Sequence, residues 1–370
     1  MTKKNYENEQ RKREFFEQLR GARGFAECSI DSLAEAIDQW QIFTENDDFK
    51  NFNKSKALSF RDWLNTRKAR TETGTLSLTT QDNYLRRIKK FFHWLSGQPN
   101  YKSKISKNDV EYLRLSKSDA RIARQGSTKR KPTFEEARTL IEKIEIKNEI
   151  DMRDRAIICL ALTTGIRISA LTSLKMKNFD PKDKLFDQNP ADGVKTKNSK
   201  KILTTFFPIG WDAPEEYFME WYEHLKSKGF QPNDPIFPAT MNSNLSGKFA
   251  YSKELVGKKF WSGNGGARKI FAKRCENADL PYFHPHSFRH AVVKILLKAR
   301  LTEEEKKAIS LNLGHSDVGT TFGSYGYGGM NSEDAVRIVQ KLKNTLFNGD
   351  MVMISEEEKA VIEKFLGKIS

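Results

Sequence analysis

The chain has 370 residues, of which 38% are hydrophobic and 30% are charged, and its formal net charge is +16. This composition supplies apolar material for folded cores, but no run of the roughly 18–20 apolar residues that a membrane span needs. Three distant cysteines without CxxC spacing exclude a disulfide framework and a cysteine zinc site. The polar N-terminus predicts no secretory signal and therefore a cytoplasmic protein, and the basic balance points to a polyanionic partner.

The positive charge is concentrated in one part of the chain. Residues 51–130 hold 19 basic and 6 acidic residues, whereas residues 1–50 hold 8 basic and 11 acidic ones. Clustered cations release many counterions from DNA, so one interpretation is a phosphate-binding surface. The other interpretation is a solvated helix face.

Apolar residues at helical spacing predict three helices, over 32–43, 57–69 and 79–95. We therefore expect a polar segment over 1–24 and a small helical domain over 25–116. The aromatic stripe of the third helix predicts core packing rather than a base-stacking platform. The candidate DNA-binding residues beside this stripe are Arg86, Arg87, Lys89 and Lys90.

Residues 117–131 contain six basic residues and almost no apolar ones, which predicts an extended basic linker. Directly after it, Thr133 and Glu136 have the spacing of a capping box and predict the start of a helix and of a second domain over 132–347. The candidate DNA-binding residues of the linker are Arg121, Arg124, Lys129, Arg130 and Lys131.

The second domain combines many helical patterns with one region of strands. Residues 184–208 predict short strands around a polar turn. A tail over 348–370 follows, with an amphipathic stretch that packs on its own domain or on a neighbouring protomer. The helical patterns cover 153–163, 214–227, 267–277, 287–299, 303–312, 333–347 and 356–366. The fold class expected is mainly α with a small antiparallel β-sheet.

Motifs of several common enzyme classes are missing, including the phosphate loop, HExxH, GxSxG and the dinucleotide fingerprint. The segment HPHSFRH, residues 284–290, instead places imidazoles and a guanidinium at a predicted helix start, with His286 and Arg289 on one face. A metal site needs carboxylate or thiolate ligands nearby, and this segment has none. We therefore predict neither a metal nor a cofactor; surface histidines near a helix start are the alternative.

Three further segments each carry weak signals, which become strong in combination. They are TGIRIS at 164–169, the lysines of the polar turn between the predicted strands, and LGHS at 313–316 followed by TTFGSYGY at 320–327. Taken singly, they suggest a salt-bridging arginine, a solvated hairpin tip and a glycine-rich turn. Their candidate residues are Arg167, Lys195 or Lys197, His315, and Tyr325 or Tyr327.

This series of motifs resembles the phage-integrase family of tyrosine recombinases over about residues 132–326, and the N-terminal block is similar to the family's core-binding domain in organisation. The resemblance implies a helical core-binding domain followed by a mixed α/β catalytic domain. In two places the chain departs from the family's pattern. Ala170 stands where an acidic residue is common, and Tyr325 follows His315 by ten residues rather than nine. The catalytic residues that the resemblance implies are Arg167, Lys197, His286, Arg289, His315 and Tyr325.

These residue types suit phosphodiester exchange. A phenol serves as both nucleophile and leaving group, and two guanidiniums bind the charge of the transition state without a metal. By the family's pattern, Lys197 protonates the leaving 5′ oxygen, His286 takes the tyrosine proton and His315 donates to the phosphate.

The resemblance implies double-stranded DNA as partner, a 3′-phosphotyrosyl intermediate and a homotetramer on paired DNA sites; it leaves open whether accessory DNA-bending proteins take part. Two alternatives remain at this stage. A type IB topoisomerase would relax DNA as a monomer without paired sites, and an inactive DNA-binding regulator would keep only the fold.

Overall fold

The computed structural model describes residues 5–69, 74–124, 130–245, 248–299 and 301–326. The chain divides into two compact units after Thr128, inside the segment predicted as a linker. The predicted helices over 333–347 and 356–366, and the tail over 348–370, lie outside the described residues.

The first unit contains the three helices predicted from the sequence and three more. The aromatic stripe of its fourth helix is buried, and the Phe92 ring stacks on Phe52 with 4.2 Å between the ring centroids. The prediction that this stripe belongs to the core is confirmed. The helices are α1 (Tyr6–Gly21), α2 (Glu27–Phe43), α3 (Lys54–Thr66), α4 (Leu78–Leu95), α5 (Lys107–Val110) and α6 (Lys117–Arg124).

Two segments of this unit differ from the expectation. The polar N-terminal segment forms α1, because Phe15 and Leu19 supply enough apolar surface on one side to bury the helix against the core. The prediction of an extended linker is wrong for residues 117–124, which form α6. Ala120 and Ala123 of this helix pack on the same core. The Thr79 hydroxyl also donates a hydrogen bond to the carbonyl of Ala123. Small side chains on one face therefore allow a highly charged segment to dock as a helix.

The second unit is helical with two small antiparallel sheets. A three-stranded sheet has the order β1-β2-β3, with Phe186 opposite Thr204, and a separate hairpin pairs β4 with β5. The predicted fold class is confirmed; the hairpin was not predicted. The elements are α7 (Phe134–Glu142), α8 (Glu149–Thr164), α9 (Ile168–Leu171), β1 (Phe179–Asp180), β2 (Leu185–Gln188), β3 (Ile202–Thr205), α10 (Ala213–Ser227), β4 (Thr240–Leu245), β5 (Lys248–Val256), α11 (Asn264–Asn277), α12 (Pro285–Leu296) and α13 (Glu303–Asn312).

Helix α8 is the centre of the second unit, buried along most of its length. Besides apolar packing, it is held by a buried ion network in which Arg274 of α11 bonds to Asp151 and Asp154, at 2.6 and 2.8 Å. Arg153 bonds to the same Asp154 and to the carbonyl of Pro238. Because a buried charge is stable only when it is paired, this network fixes the position of α8 and of the residues that follow it.

The capping box predicted at Thr133 and Glu136 is formed and begins α7. Among the described residues, no helix combines the length and the apolar character needed to span a membrane.

Candidate active site

The site begins where α8 ends. Gly165 terminates this helix with a left-handed backbone, φ 62°. A Cβ atom at this position would lie 2.7 Å from the Leu313 side chain and 3.4 Å from the side chain of Arg289. Both the backbone conformation and the close approach therefore require glycine. Arg167 follows as the residue that precedes α9 and is half-buried.

Helix α12 contributes the second arginine. His284 caps this helix by accepting a hydrogen bond from the backbone amide of His286, and Pro285 occupies its first turn. One turn further, the buried Arg289 donates to the carbonyl of Gly165 at 2.7 Å and to the carbonyl of Leu313. These carbonyls stand at the C-terminal ends of α8 and α13, where the helix dipole favours a cation. The guanidinium thus bridges two helix ends.

His315 lies directly after the end of α13 and is 6% exposed. Gly314 makes the turn with φ 74°, and a side chain there would overlap with Ile202 of β3. The ring nitrogens of His315 are both engaged: Nε2 lies 2.8 Å from Nη2 of Arg289 and Nδ1 lies 2.8 Å from Oγ1 of Thr321. The histidine is thereby bound to both Arg289 and the segment that follows.

The two candidate lysines lie in the turn between β2 and β3, and both are exposed. The backbone amide of Lys195 donates to the Ser173 hydroxyl at 2.8 Å, and Lys197 begins a short 3-10 turn. Strand β3 is tied to the end of α13, because the amide of Thr205 donates to Asn312 Oδ1 at 2.8 Å. This bond connects the strand that follows the lysine turn to the helix that precedes His315.

The electrostatics of both histidines are dominated by burial and by positive neighbours. Burial, followed by the charges of Arg289, His290 and Arg167, lowers the pKa of His286 to about 4. Burial also lowers the pKa of His315 to about 3, assisted by Arg289, Arg167, His286 and Lys197. Both rings are consequently neutral at pH 7. The same shifts indicate that Arg167, Lys197, His286, Arg289 and His315 lie close together.

The last sequence-predicted residue is on the segment Thr320–Gly326, which forms a π-helical turn. The backbone of Tyr325 belongs to this turn; its side chain, and all of Tyr327, lie outside the described residues. Ala170, where the family commonly has an acidic residue, is 1% exposed and part of the core.

Comparison with known proteins agrees with this geometry. Residues 132–327 match the family model described as the phage integrase family. The chain belongs to this family. It is 22% identical over 311 residues to tyrosine recombinase XerC of Bacillus subtilis, covering 83% of this chain and 88% of that protein. Tyrosine recombinase XerD of Vibrio vulnificus is 23% identical over 244 residues, covering 66% of this chain and 68% of that protein.

Solved structures show the same fold. A lambda integrase dimer bound to a core site matches with a TM-score of 0.58 and 14% identity, over 85% of this chain and 94% of that one. The Tn1549 transposon integrase in complex with transposon right end DNA matches with a TM-score of 0.57 and 16% identity, over 90% and 99%. The predicted family is confirmed, and with it the enzyme type, a tyrosine recombinase.

The basic residues predicted to contact DNA have different surroundings. Three of them pair with carboxylates of their own unit: Arg86 with Asp82, Lys89 with Glu111 and Arg130 with Glu136. Lys90 packs over the ring of Phe25, and burial lowers its pKa. Arg121 is exposed and Arg87 is half-buried; the side chain of Arg124 and all of Lys129 lie outside the described residues.

Lys131 has a basic neighbour, Lys294, that was not predicted. Burial lowers the pKa of Lys131, and the charge of Lys294 on α12 lowers it further. Because these two ammonium groups repel each other, a phosphate bound between them would be favourable.

The sequence also did not identify Thr321 and the carbonyls of Gly165 and Leu313 as groups of the site. The Thr-Thr pair was visible in the sequence, whereas carbonyl groups leave no sequence signal.

The depressed pKa values of the histidines predict how stability depends on pH. Below about pH 6.5 an unfolded chain protonates its histidines, whereas the folded chain keeps His286 and His315 neutral down to about pH 4 and about pH 3. The unfolded state thus binds more protons in this window, so stability falls as the pH falls from about 6.5 to about 4. We expect each histidine to contribute about 1.4 kcal/mol per pH unit within it.

Urea unfolding of the full chain at pH 7, 6 and 5 measures this slope. In His286→Gln the slope between pH 6 and pH 5 should be shallower than in the unmodified protein by about that amount. Identical slopes in the two proteins would contradict a lowered pKa of His286.

Proposed function

We propose that the protein is a site-specific DNA recombinase that cleaves and rejoins double-stranded DNA through a 3′-phosphotyrosyl intermediate. The observation that carries the proposal is the charge of the site. Arg289 is buried with two backbone carbonyls as acceptors, and the permanent positive charges among the groups that lower the pKa of His315 are Arg289, Arg167 and Lys197. An anionic phosphodiester is the ligand that would balance them.

The two arginines bind the nonbridging oxygens of the scissile phosphate. A guanidinium offers two parallel donors, and this geometry matches two oxygens of one phosphate. In the pentacoordinate transition state these oxygens carry more negative charge than in the ground state, so Arg167 and Arg289 stabilise the transition state more than the bound substrate. This difference lowers the barrier.

Proton transfer is divided between Lys197 and His286. Neutral His286 accepts the phenolic proton as the Tyr325 oxygen attacks phosphorus, and Lys197 protonates the 5′ oxygen that leaves. Several charges lower the pKa of His315, and Lys197 is among them, which favours this lysine over Lys195. The phosphotyrosyl ester retains the free energy of the broken phosphodiester, so religation needs no nucleotide.

The same proposal includes the partners. Basic residues of the first unit and of the linker hold the DNA backbone, and a homotetramer acts on paired DNA sites. A lambda integrase tetramer bound to a Holliday junction, whose fold matches with a TM-score of 0.58, supports this assembly. The proposal makes no commitment on accessory DNA-bending proteins.

The first experiment identifies the nucleophile. Covalent trapping on random-sequence duplexes, followed by sequencing, yields a DNA site, and a nicked suicide substrate is then built on it. We expect Tyr325→Phe to abolish the covalent adduct and Tyr327→Phe to retain it, because only one phenol can lie in line with the scissile phosphate. Peptide mapping identifies the modified residue. An adduct on Tyr327 would reassign the nucleophile, and the absence of any tyrosine adduct would refute the recombinase proposal.

The second experiment separates binding from catalysis at Arg167, because Arg289 also holds two helix ends together. We expect Arg167→Ala to bind the DNA site nearly as tightly as the unmodified protein but to cleave about 100-fold to 1000-fold more slowly. Arg167→Lys should recover little, since an ammonium cannot donate to two oxygens in parallel. Cleavage by Arg167→Ala at the normal rate would remove this residue from the site.

The third experiment maps the DNA-binding surface through salt dependence. Neutralising Arg121 and Lys131 to glutamine should reduce the slope of log affinity against log salt by about 0.9 for each phosphate that the variant no longer binds. The matched control neutralises two lysines of the second unit that pair with carboxylates, Lys147 with Glu145 and Lys226 with Glu223. An equal change of slope in both double variants would show that net charge, rather than direct phosphate binding by Arg121 and Lys131, governs affinity.

A further inference from the structure

Thr321 takes no part in the catalytic steps proposed above. Its side chain is fully buried, and its hydroxyl oxygen lies 2.8 Å from Nδ1 of His315. On the other side of the same ring, Nε2 lies 2.8 Å from Nη2 of Arg289. The imidazole is therefore held between one hydroxyl and one guanidinium.

The chemistry of these partners fixes the tautomer of the ring. A guanidinium can only donate hydrogen bonds, so Nε2 must be the acceptor and cannot carry a proton. A neutral imidazole has one N–H, which consequently lies on Nδ1 and donates to the Thr321 oxygen. Burial and the neighbouring cations keep the ring neutral, in agreement with this assignment.

We propose that Thr321 is a positioning residue that accepts the Nδ1 proton of His315, holds the ring with Nε2 towards Arg289 and leaves Nε2 as the one ring atom that changes its protonation. This inference rests on the proposed function for its consequence. When a phosphate oxygen takes the Nη2 donor of Arg289, Nε2 loses its hydrogen-bond donor and faces an anion. It then takes one proton from solvent and becomes a donor to that oxygen. The Nδ1–H bond to Thr321 is the same before and after, so the ring does not turn.

Thr321 has a second effect because of its place in the chain. It belongs to the turn Thr320–Gly326, which also carries the backbone of Tyr325. The hydroxyl bond to His315 therefore anchors the start of the nucleophile's segment to the phosphate-binding residues. Removal of this bond would disturb both the histidine and the turn.

The closing experiment observes the ring in the DNA-free full chain, so its result does not depend on recombination. Two-bond proton–nitrogen spectra of the histidine-labelled protein distinguish the two tautomers, and the His315→Asn variant identifies the signals of His315. We expect the Nδ1–H tautomer in the unmodified protein and in Thr321→Ser, which keeps the hydroxyl. In Thr321→Val, which has nearly the same shape, Arg289 still donates to Nε2, so the proton stays on Nδ1 but has no acceptor. We expect its signal to move upfield and to exchange with solvent faster than in the unmodified protein and in Thr321→Ser.

Cleavage gives the functional readout once a DNA site is known. Thr321→Val should lower the cleavage rate by about 10-fold to 100-fold, and Thr321→Ser should restore most of it. An Nε2–H tautomer in the unmodified protein would overturn the proposal even if Thr321→Val failed to fold. An Nδ1 proton with the same chemical shift and exchange rate in folded Thr321→Val as in the unmodified protein would overturn it as well. If the His315 signals behave as expected but the unmodified protein forms no DNA adduct, the recombinase proposal fails and the positioning role of Thr321 remains.

Discussion

The arrangement of the site depends on one buried cation, Arg289, which is held by backbone carbonyls. Arg289 donates to the carbonyls of Gly165 and Leu313, which stand at the ends of two helices, and to His315. Helix-end carbonyls carry partial negative charge, and they neither titrate nor cancel the full charge of the guanidinium. A carboxylate in their place would hold the arginine equally well but would neutralise it. The chosen partners fix the geometry and leave the positive charge available to a ligand.

This arrangement links the state of the histidines to the presence of an anion. Without a ligand, burial and positive neighbours keep His286 and His315 neutral, with pKa values lowered to about 4 and about 3. A phosphate brings negative charge into the same space and shifts both pKa values upwards, towards the range in which imidazole transfers protons at neutral pH. Under the proposed function, the histidines therefore become competent for proton transfer when the DNA phosphate binds and stay neutral in its absence.

The sequence indicated candidate residues and local elements, but not the tertiary contacts between them. The boundaries of α7, α10 and α13 follow from caps and apolar spacing, which are local signals. The docking of α6 was missed because it depends on two alanines that contact a core formed by distant residues. The β4–β5 hairpin was missed because its first strand, TMNSNL, is mostly polar. The hydrogen bonds of Arg289 could not be predicted either. Its acceptors are backbone groups of Gly165 and Leu313, whose proximity is decided by tertiary packing alone.

The acid and the base of the proposed mechanism have opposite requirements for their surroundings. A general base must be neutral before the reaction, and a general acid must carry its proton. Burial beside cations favours the neutral form of histidine, and it would equally favour the neutral form of a lysine amine. His286 is accordingly half-buried and His315 is buried, whereas Lys197 lies on an exposed turn. The bond between Asn312 and β3 keeps that turn in register with His315 without burying it. Under the proposed function, one fold thereby places a buried and an exposed titratable group around a single phosphate.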